Sequence, residues 1–269
     1  MVSVTRPIVI AQATGGQRYG AAPLAQGEPT VDGPEAPEPA EPDREAVAPR
    51  RLALVRPAEP EPAEPQLAER QAGLELTELE FAVIDLETTG WSPGAAAITE
   101  IAAVRVRGGR RQGEFASLVN PGVPVPPGIE DLTGISDWML AAAPRLPAVL
   151  PGLLGFADGC VLVAHNAPFD IGFLRAACAE CGLAGPRFTV LDTVLLARQL
   201  MDPDEVPDCK LGTLAGFFRA RTAPSHRALA DARATADVLG WLIRRLTHRG
   251  IRTLDQLRTW PDVLTSSSL

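Results

Sequence analysis

Two carboxylates, Asp85 and Glu87, stand two residues apart at the end of the apolar run Phe81-Ala82-Val83-Ile84. In an extended strand residues i and i+2 share a face, so both acids point one way and Leu86 the other. Adjacent anions repel and lose hydration at a sheet end, and a hard divalent cation with oxygen ligands compensates both effects. The plain alternative is a pair of solvated acids. A second group, His165-Asn166-Ala167-Pro168-Phe169-Asp170, follows the apolar run Cys160–Ala164 and opens a helix. Ligands gather at the carboxyl ends of strands in open α/β sheets, although an acid at a helix start is also a favourable dipole partner without any ligand. A third group is Ser225-His226-Arg227-Ala228-Leu229-Ala230-Asp231. Its imidazole can take a proton near neutral pH, with an aspartate one turn inside the following helix. Read plainly, Ser225 caps that helix and the other two are surface polar groups.

The elements that must hold these groups follow from local pattern. Phe81–Ile84 is long enough for a buried strand and too short for a typical helix. Residues 98–106 form a second strand, and Gly108-Gly109 turns it into a third over Glu114–Val119. Short helical pieces follow around 129–132 and 136–142, with a better helix at 147–156 that Pro151 and Gly152 weaken. The continuous apolar run at 160–164 suits a central parallel strand buried on both faces. Helical periodicity returns over 169–181, a short strand spans 188–191, and helices cover 193–201, 211–219 and 228–246. An antiparallel meander followed by alternating β and α elements predicts a mixed five-stranded sheet with helices on both faces.

The chain has 269 residues, 46% of them hydrophobic, which allows one ordinary domain plus additional material. That material is at the N-terminus, where residues 21–71 are dominated by Pro, Glu and Ala and read as a disordered tether. Residues 1–74 hold 11 acidic residues and 7 arginines, half of the net charge of −8. No apolar run reaches the roughly 18 residues that span a bilayer, and Pro7–Ala11 is too short for a signal sequence, so the expected location is cytoplasmic. The four cysteines then read as free thiols. Cys178 and Cys181 have metal-like spacing but lack a second pair or a nearby histidine, so no structural zinc is expected. Arg105, Arg107, Arg110 and Arg111 around the second turn are candidates for phosphate contacts, or simply a solvated hairpin.

Taken together, Asp85–Gly90, His165–Asp170 and His226 with Asp231 five residues on resemble the three motifs of the DEDDh 3′–5′ exonucleases, the family of the polymerase III epsilon proofreading subunit. Residues 97–101, 132–135 and 204–211 are further similar to the exonuclease half of actinobacterial proteins in which a GIY-YIG nuclease domain follows. The resemblance covers about residues 80–246. The sequence stops where such fusions enter their linker, which leaves a truncated relative and a stand-alone exonuclease both open. The resulting division is a tail over 1–74, an exonuclease domain of ribonuclease H-like α/β fold over 75–249, and a short C-terminal tail over 250–269.

The resemblance implies a set of roles. Asp85, Glu87, Asp170 and Asp231 would hold two divalent cations, Mg²⁺ or Mn²⁺, about 4 Å apart, with His226 as general base toward the attacking water. Thr88, Thr89 and Gly90 would edge a nucleotide pocket, and His165, Asn166 and Phe169 would face the substrate. The expected reaction is 3′–5′ hydrolysis at single-stranded or frayed DNA ends, releasing nucleoside monophosphates in proofreading or repair. The expected partners are DNA 3′ ends and a replicative polymerase or repair complex; a membrane is not among them. An exoribonuclease of the same fold and a non-catalytic nucleic-acid-binding relative are the alternatives.

Overall fold

The structure, a computed structural model, describes residues 71, 73–185, 187–260 and 263–269. Most of the Pro/Glu/Ala-rich segment lies outside the described residues. Its last part belongs to the fold: Gln71 is buried and donates its amide to the Gly159 carbonyl at 2.9 Å.

Strand β1 (Glu80–Thr88) is buried except at Glu80, Asp85 and Glu87, as an apolar run ending in acids dictates. It pairs antiparallel with β2 (Ile98–Arg107), which turns through Gly108 and Gly109 into β3 (Arg110–Leu118). Both glycines have positive φ, 57° and 72°, the geometry a two-residue hairpin with right-handed strand twist requires. The third strand therefore begins at Arg110, four residues before Glu114, because this tight turn pairs Arg107 directly with Arg110.

After two short helices, α1 (Pro127–Thr133) and α2 (Asp137–Leu140), comes α3 (Leu146–Ala157). It tolerates Pro151, and Gly152 lies so near Phe115 that an added Cβ would come within 3.1 Å of that ring. Strand β4 (Val161–Ala164), fully buried, then pairs parallel with β1. Helix α4 (Ala167–Glu180) leads to β5 (Arg187–Asp192), parallel to β4, and α5 (Thr193–Leu200) follows. Helices α6 (Leu211–Phe217) and α7 (Ala228–His248) complete the main layer. Cys178 is buried in the core near the end of α4, and Cys181 caps that helix.

The sheet has six strands in the order β3-β2-β1-β4-β5-β6, so the expected five-stranded count is one short. The extra strand, β6 (Leu264–Ser268), runs antiparallel to β5 and arises in the stretch read as a tail. Before it, helix α8 (Leu254–Leu257) is closed by a Thr253/Gln256 capping box and buries Leu254 and Leu257. A serine-rich edge strand shows no apolar alternation to detect in sequence.

Helices cover both faces, as expected for this mixed ribonuclease H-like sheet. Phe81 and Val83 pack with α5, α6 and α7, whereas Ala82, Ile84 and Leu86 pack with α3 and α4. Strand alternation therefore sends Asp85 and Glu87 toward the α7 side.

Candidate active site

The three sequence motifs converge at the C-terminal end of β1. Helix α7 crosses β1 and β2 and brings Asp231, in its first turn, to the two strand acids. Asp85, Glu87 and Asp231 each offer a carboxylate oxygen, and these oxygens lie within 4.8 Å of one another. Burial raises the Asp85 pKa well above the carboxylate range, and repulsion from Asp170, Asp231, Glu87 and Glu100 adds to it. For Glu87 the same causes, burial first and then Asp231 and Glu100, push the value up to about 7. Asp170 is raised by burial, although its carboxylate accepts its own N–H and that of Leu86. It lies beside Asp85 electrostatically but is not one of the three clustered acids. Crowded, desolvated acids of this kind gain stability from a hard cation with oxygen ligands, so the donor set fits a divalent metal.

Asp231 is fixed by the chain just before it. Its carboxylate accepts the Ser225 N–H at 2.7 Å and also those of His226 and Arg227. Burial still raises its pKa, against these bonds and the nearby His226. His226 itself has φ 54°, in the left-handed region, and its side chain is exposed in the bend that opens α7.

Two acidic residues that were given no role from the sequence organise this site. Glu100, 6% exposed and opposite Glu87 in the β1–β2 register, accepts two bonds from the Arg227 guanidinium and one from the Ala228 N–H. Asp192, at the end of β5, accepts the N–H groups of Asn166 and Ala167 at the start of α4. The same carboxylate accepts those of Val194 and Leu195 in α5. One buried side chain thus joins the second motif to the neighbouring βα turn. For Asp192 an acid just before a helix was the available signal, which a single sequence does not separate from an ordinary cap, whereas Glu100, inside β2, carried no such signal.

The residues expected around a substrate are placed unevenly. Thr88 donates its hydroxyl to the Gly90 carbonyl, and the Thr89 hydroxyl accepts the Ala97 N–H at 2.9 Å. Both side chains are buried, so these hydroxyls hold the loop beyond the β1 bulge. Gly90 abuts Ala96, whose Cβ would lie 3.3 Å from an added one. The His165 ring is bracketed by the Thr193 hydroxyl at 2.9 Å and the Cys209 carbonyl, and burial lowers its pKa to about 4. Asn166 takes the left-handed conformation at the α4 N-cap with an exposed side chain. Phe169 is half-buried between Phe173, at 4.9 Å, and Trp91, at 6.4 Å. Trp91, the residue after Gly90, is 72% exposed.

This fold and acid cluster define a nuclease of the ribonuclease H-like class, and the chain belongs to the RNase_T exonuclease family, which it matches over residues 82–239. A protein of Mycobacterium tuberculosis named as a bifunctional exonuclease/endonuclease is 49% identical over 193 residues, covering 70% of this chain and 30% of that protein. The PolC-type DNA polymerase III of Caldanaerobacter subterraneus subsp. tengcongensis is 40% identical over 182 residues, covering 68% of this chain and 13% of the polymerase. The chain thus spans less than a third of the length of either relative. Among solved structures, exonuclease X bound to 5′-overhanging duplex DNA is similar, with a TM-score of 0.50, 27% identity, and coverage of 66% of this chain and 96% of that one. Residues 82–239 accordingly form an exonuclease-family domain. Among the described residues no helix is long and apolar enough to cross a membrane.

Proposed function

We propose that this chain is a metal-dependent 3′–5′ exonuclease acting on single-stranded or frayed DNA ends. The observation that carries the reading is the convergence of Asp85, Glu87 and Asp231 from a strand end and a helix start, with the Glu87 pKa near 7. Asp85, Glu87, Asp170 and Asp231 are the residues that would hold two Mg²⁺ or Mn²⁺ ions. Bound there, the ions supply Lewis-acid stabilisation of phosphoryl oxygens and an acidified water.

The chain's own groups do the remaining work. His226 stands free of the packed core and takes the proton from the attacking water. Three backbone N–H groups from Ser225 to Arg227 keep Asp231 aimed while the His226 side chain is exposed beside it. Thr88, Thr89 and Gly90 hold the β1 loop in place, so that Trp91 and Phe169 present an aromatic edge to a terminal base. His165 shapes the α4 entrance from behind, and Asn166 offers its exposed amide. Stacking tolerates every base, which suits an enzyme indifferent to sequence. The PolC-type relative makes a replicative polymerase a partner to test, with a repair complex as the alternative.

Two labelled strands test the reading. With Mn²⁺, a 5′-labelled single strand should shorten progressively and release nucleoside monophosphates, and EDTA should stop it. A strand shortened from its 5′ end, or bound but left intact, overturns the proposal. Faster degradation of a matched RNA would move the assignment to an exoribonuclease.

A further inference from the structure

The C-terminal half of α7 carries a surface that the proposed reaction does not use. Two cavities of about 630 and 680 Å³ meet there, with Arg219, Trp241 and Arg244 in both linings. Trp241 is 42% exposed and Phe217 41%. Phe218 stacks nearly parallel on Trp241, with ring centroids 6.0 Å apart, and the Arg244 guanidinium lies over the same indole at 4.7 Å. Other arginines of this surface are already paired, Arg221 with Asp237 and Arg245 with Glu205. Arg110, Arg219 and Arg244 have no carboxylate within ion-pair distance among the described residues, and the second cavity has none in its lining.

Unpaired cations gathered in one place run against a net charge of −8. A polyanion would neutralise them and release their counterions, while the exposed parts of Trp241 and Phe217 offer apolar area that any base can cover. An apolar peptide would leave the arginines uncompensated, and a small anion would leave the aromatics uncovered. The surface also lies within reach of the acidic cluster. Ten residues of α7 separate Trp241 from Asp231, about 15 Å of helix. Seven residues join Arg219 to His226, a span of at most about 25 Å.

We propose that this surface binds the upstream part of a single-stranded nucleic acid whose 3′ end occupies the acidic cluster. The inference rests on the exonuclease reading and adds a second, sequence-independent contact that makes affinity depend on strand length. The test uses the full chain carrying Asp85→Asn to prevent cleavage, with or without Arg110→Gln, Arg219→Asn and Arg244→Gln. Asparagine is chosen at position 219 because φ there is 53°. Binding of thymidine oligonucleotides of about 4 and about 20 nucleotides is followed by fluorescence anisotropy across a salt series.

The triple arginine variant should lose about tenfold or more in affinity for the long strand and little for the short one. Its salt slope should be shallower by about 2, the share of three neutralised phosphates on a single strand. Unchanged long-strand affinity, or equal loss at both lengths, overturns the inference. If that affinity is unchanged while gel filtration shows an altered oligomeric state, a second copy is the occupant and the inference falls. Failure of the wild-type chain to shorten any strand with Mn²⁺ would instead remove the exonuclease reading beneath it.

Discussion

Arg227 and Glu100 form a two-bond ion pair, Nε to Oε2 at 3.0 Å and Nη2 to Oε1 at 2.9 Å, one residue after His226 and one strand away from Glu87. Glu100 also accepts the first N–H of α7, so a single buried carboxylate sets where that helix begins. The loop from Ser225 to Arg227 is therefore gripped from two sides, by Asp231 from within the helix and by Glu100 from the sheet.

Glu100→Gln should consequently loosen His226 more than it disturbs cation binding. Glutamine keeps the size and one acceptor but cannot hold the guanidinium with two charged bonds. Hydrogen bonds to charged groups contribute about 1.5–3 kcal/mol each, and Arg227 is partly exposed, so the expected loss of stability is near the lower figure. The expected signature is a fall in kcat of about tenfold or more with KM and the Mn²⁺ requirement nearly unchanged. A variant whose Mn²⁺ affinity collapses along with kcat would assign Glu100 to the metal site instead.

Asp192 makes a different prediction, because its four N–H partners lie at the starts of two helices. Replacing a capping acid with alanine costs about 1 kcal/mol per helix. Asp192→Ala should therefore lose about 2 kcal/mol in urea unfolding and reduce activity by displacing the 166–170 segment. Asp192→Asn, which keeps one acceptor oxygen, should recover part of both. Full activity in the alanine variant would mean that α4 finds its position without this bridge.

How much of this was legible in advance follows from where each signal resides. Asp85, Glu87 and Asp231 sit at spacings that strand alternation and helix starts convert directly into geometry, and they do converge. The two layers around β1 were equally readable, since Phe81–Ile84 is apolar on both faces. Glu100 and Asp192 were not, because their partners are 127 and about 26 residues away and no local pattern marks the pairing. The Thr88 and Thr89 hydroxyls illustrate the converse: polar atoms beside a catalytic motif are also what a bulged loop needs to satisfy its own backbone. Strand β6 escaped for want of apolar alternation. The hairpin arginines were indistinguishable in sequence, yet Arg105, Arg107 and Arg111 are ion-paired to Glu80, Asp237 or Glu114, and Arg110 belongs to the open surface.

The acid cluster should also leave a mark on stability. Asp85, Glu87, Asp170 and Asp231 all have raised pKa values, so the folded state holds protons that the unfolded chain has released. Without a cation their contribution is fully present below the ordinary carboxylate range and is lost as pH rises through the folded values, about 7 for Glu87. Carboxylates held low, such as Glu114, Glu205 and Asp237, titrate below this window, and His165, lowered to about 4 by burial, gains stability only up to the free imidazole value near 6.5, so the acid cluster sets the slope above about pH 7. Cation-free protein should thus have a lower Tm at about pH 8 than at about pH 7, and Mn²⁺ should remove most of the difference. Asp85→Asn should raise the cation-free Tm at the higher pH while abolishing hydrolysis. Calorimetry showing a Tm that climbs in EDTA from about pH 7 to about pH 8 would contradict a repulsive cluster.

His226 allows backbone strain and chemistry to be separated. At φ 54° a non-glycine residue carries about 1–2 kcal/mol of steric cost, held here by the Asp231 bonds to Ser225 and its neighbours. Glycine removes that cost together with the imidazole, whereas alanine removes only the imidazole. If His226 takes the proton from water, both substitutions should lower kcat by about 10²–10⁴-fold, the usual range for a positioned base. His226→Gly should be no less stable than His226→Ala, since only the latter retains a Cβ in the left-handed region. The glycine variant should further recover rate when imidazole is added, because it leaves room for a free base beside Asp231. A His226→Gly enzyme that keeps most of the wild-type rate, or one that imidazole does not help while Mn²⁺ binding is intact, would show that this histidine sets the turn into α7 and does not move the proton.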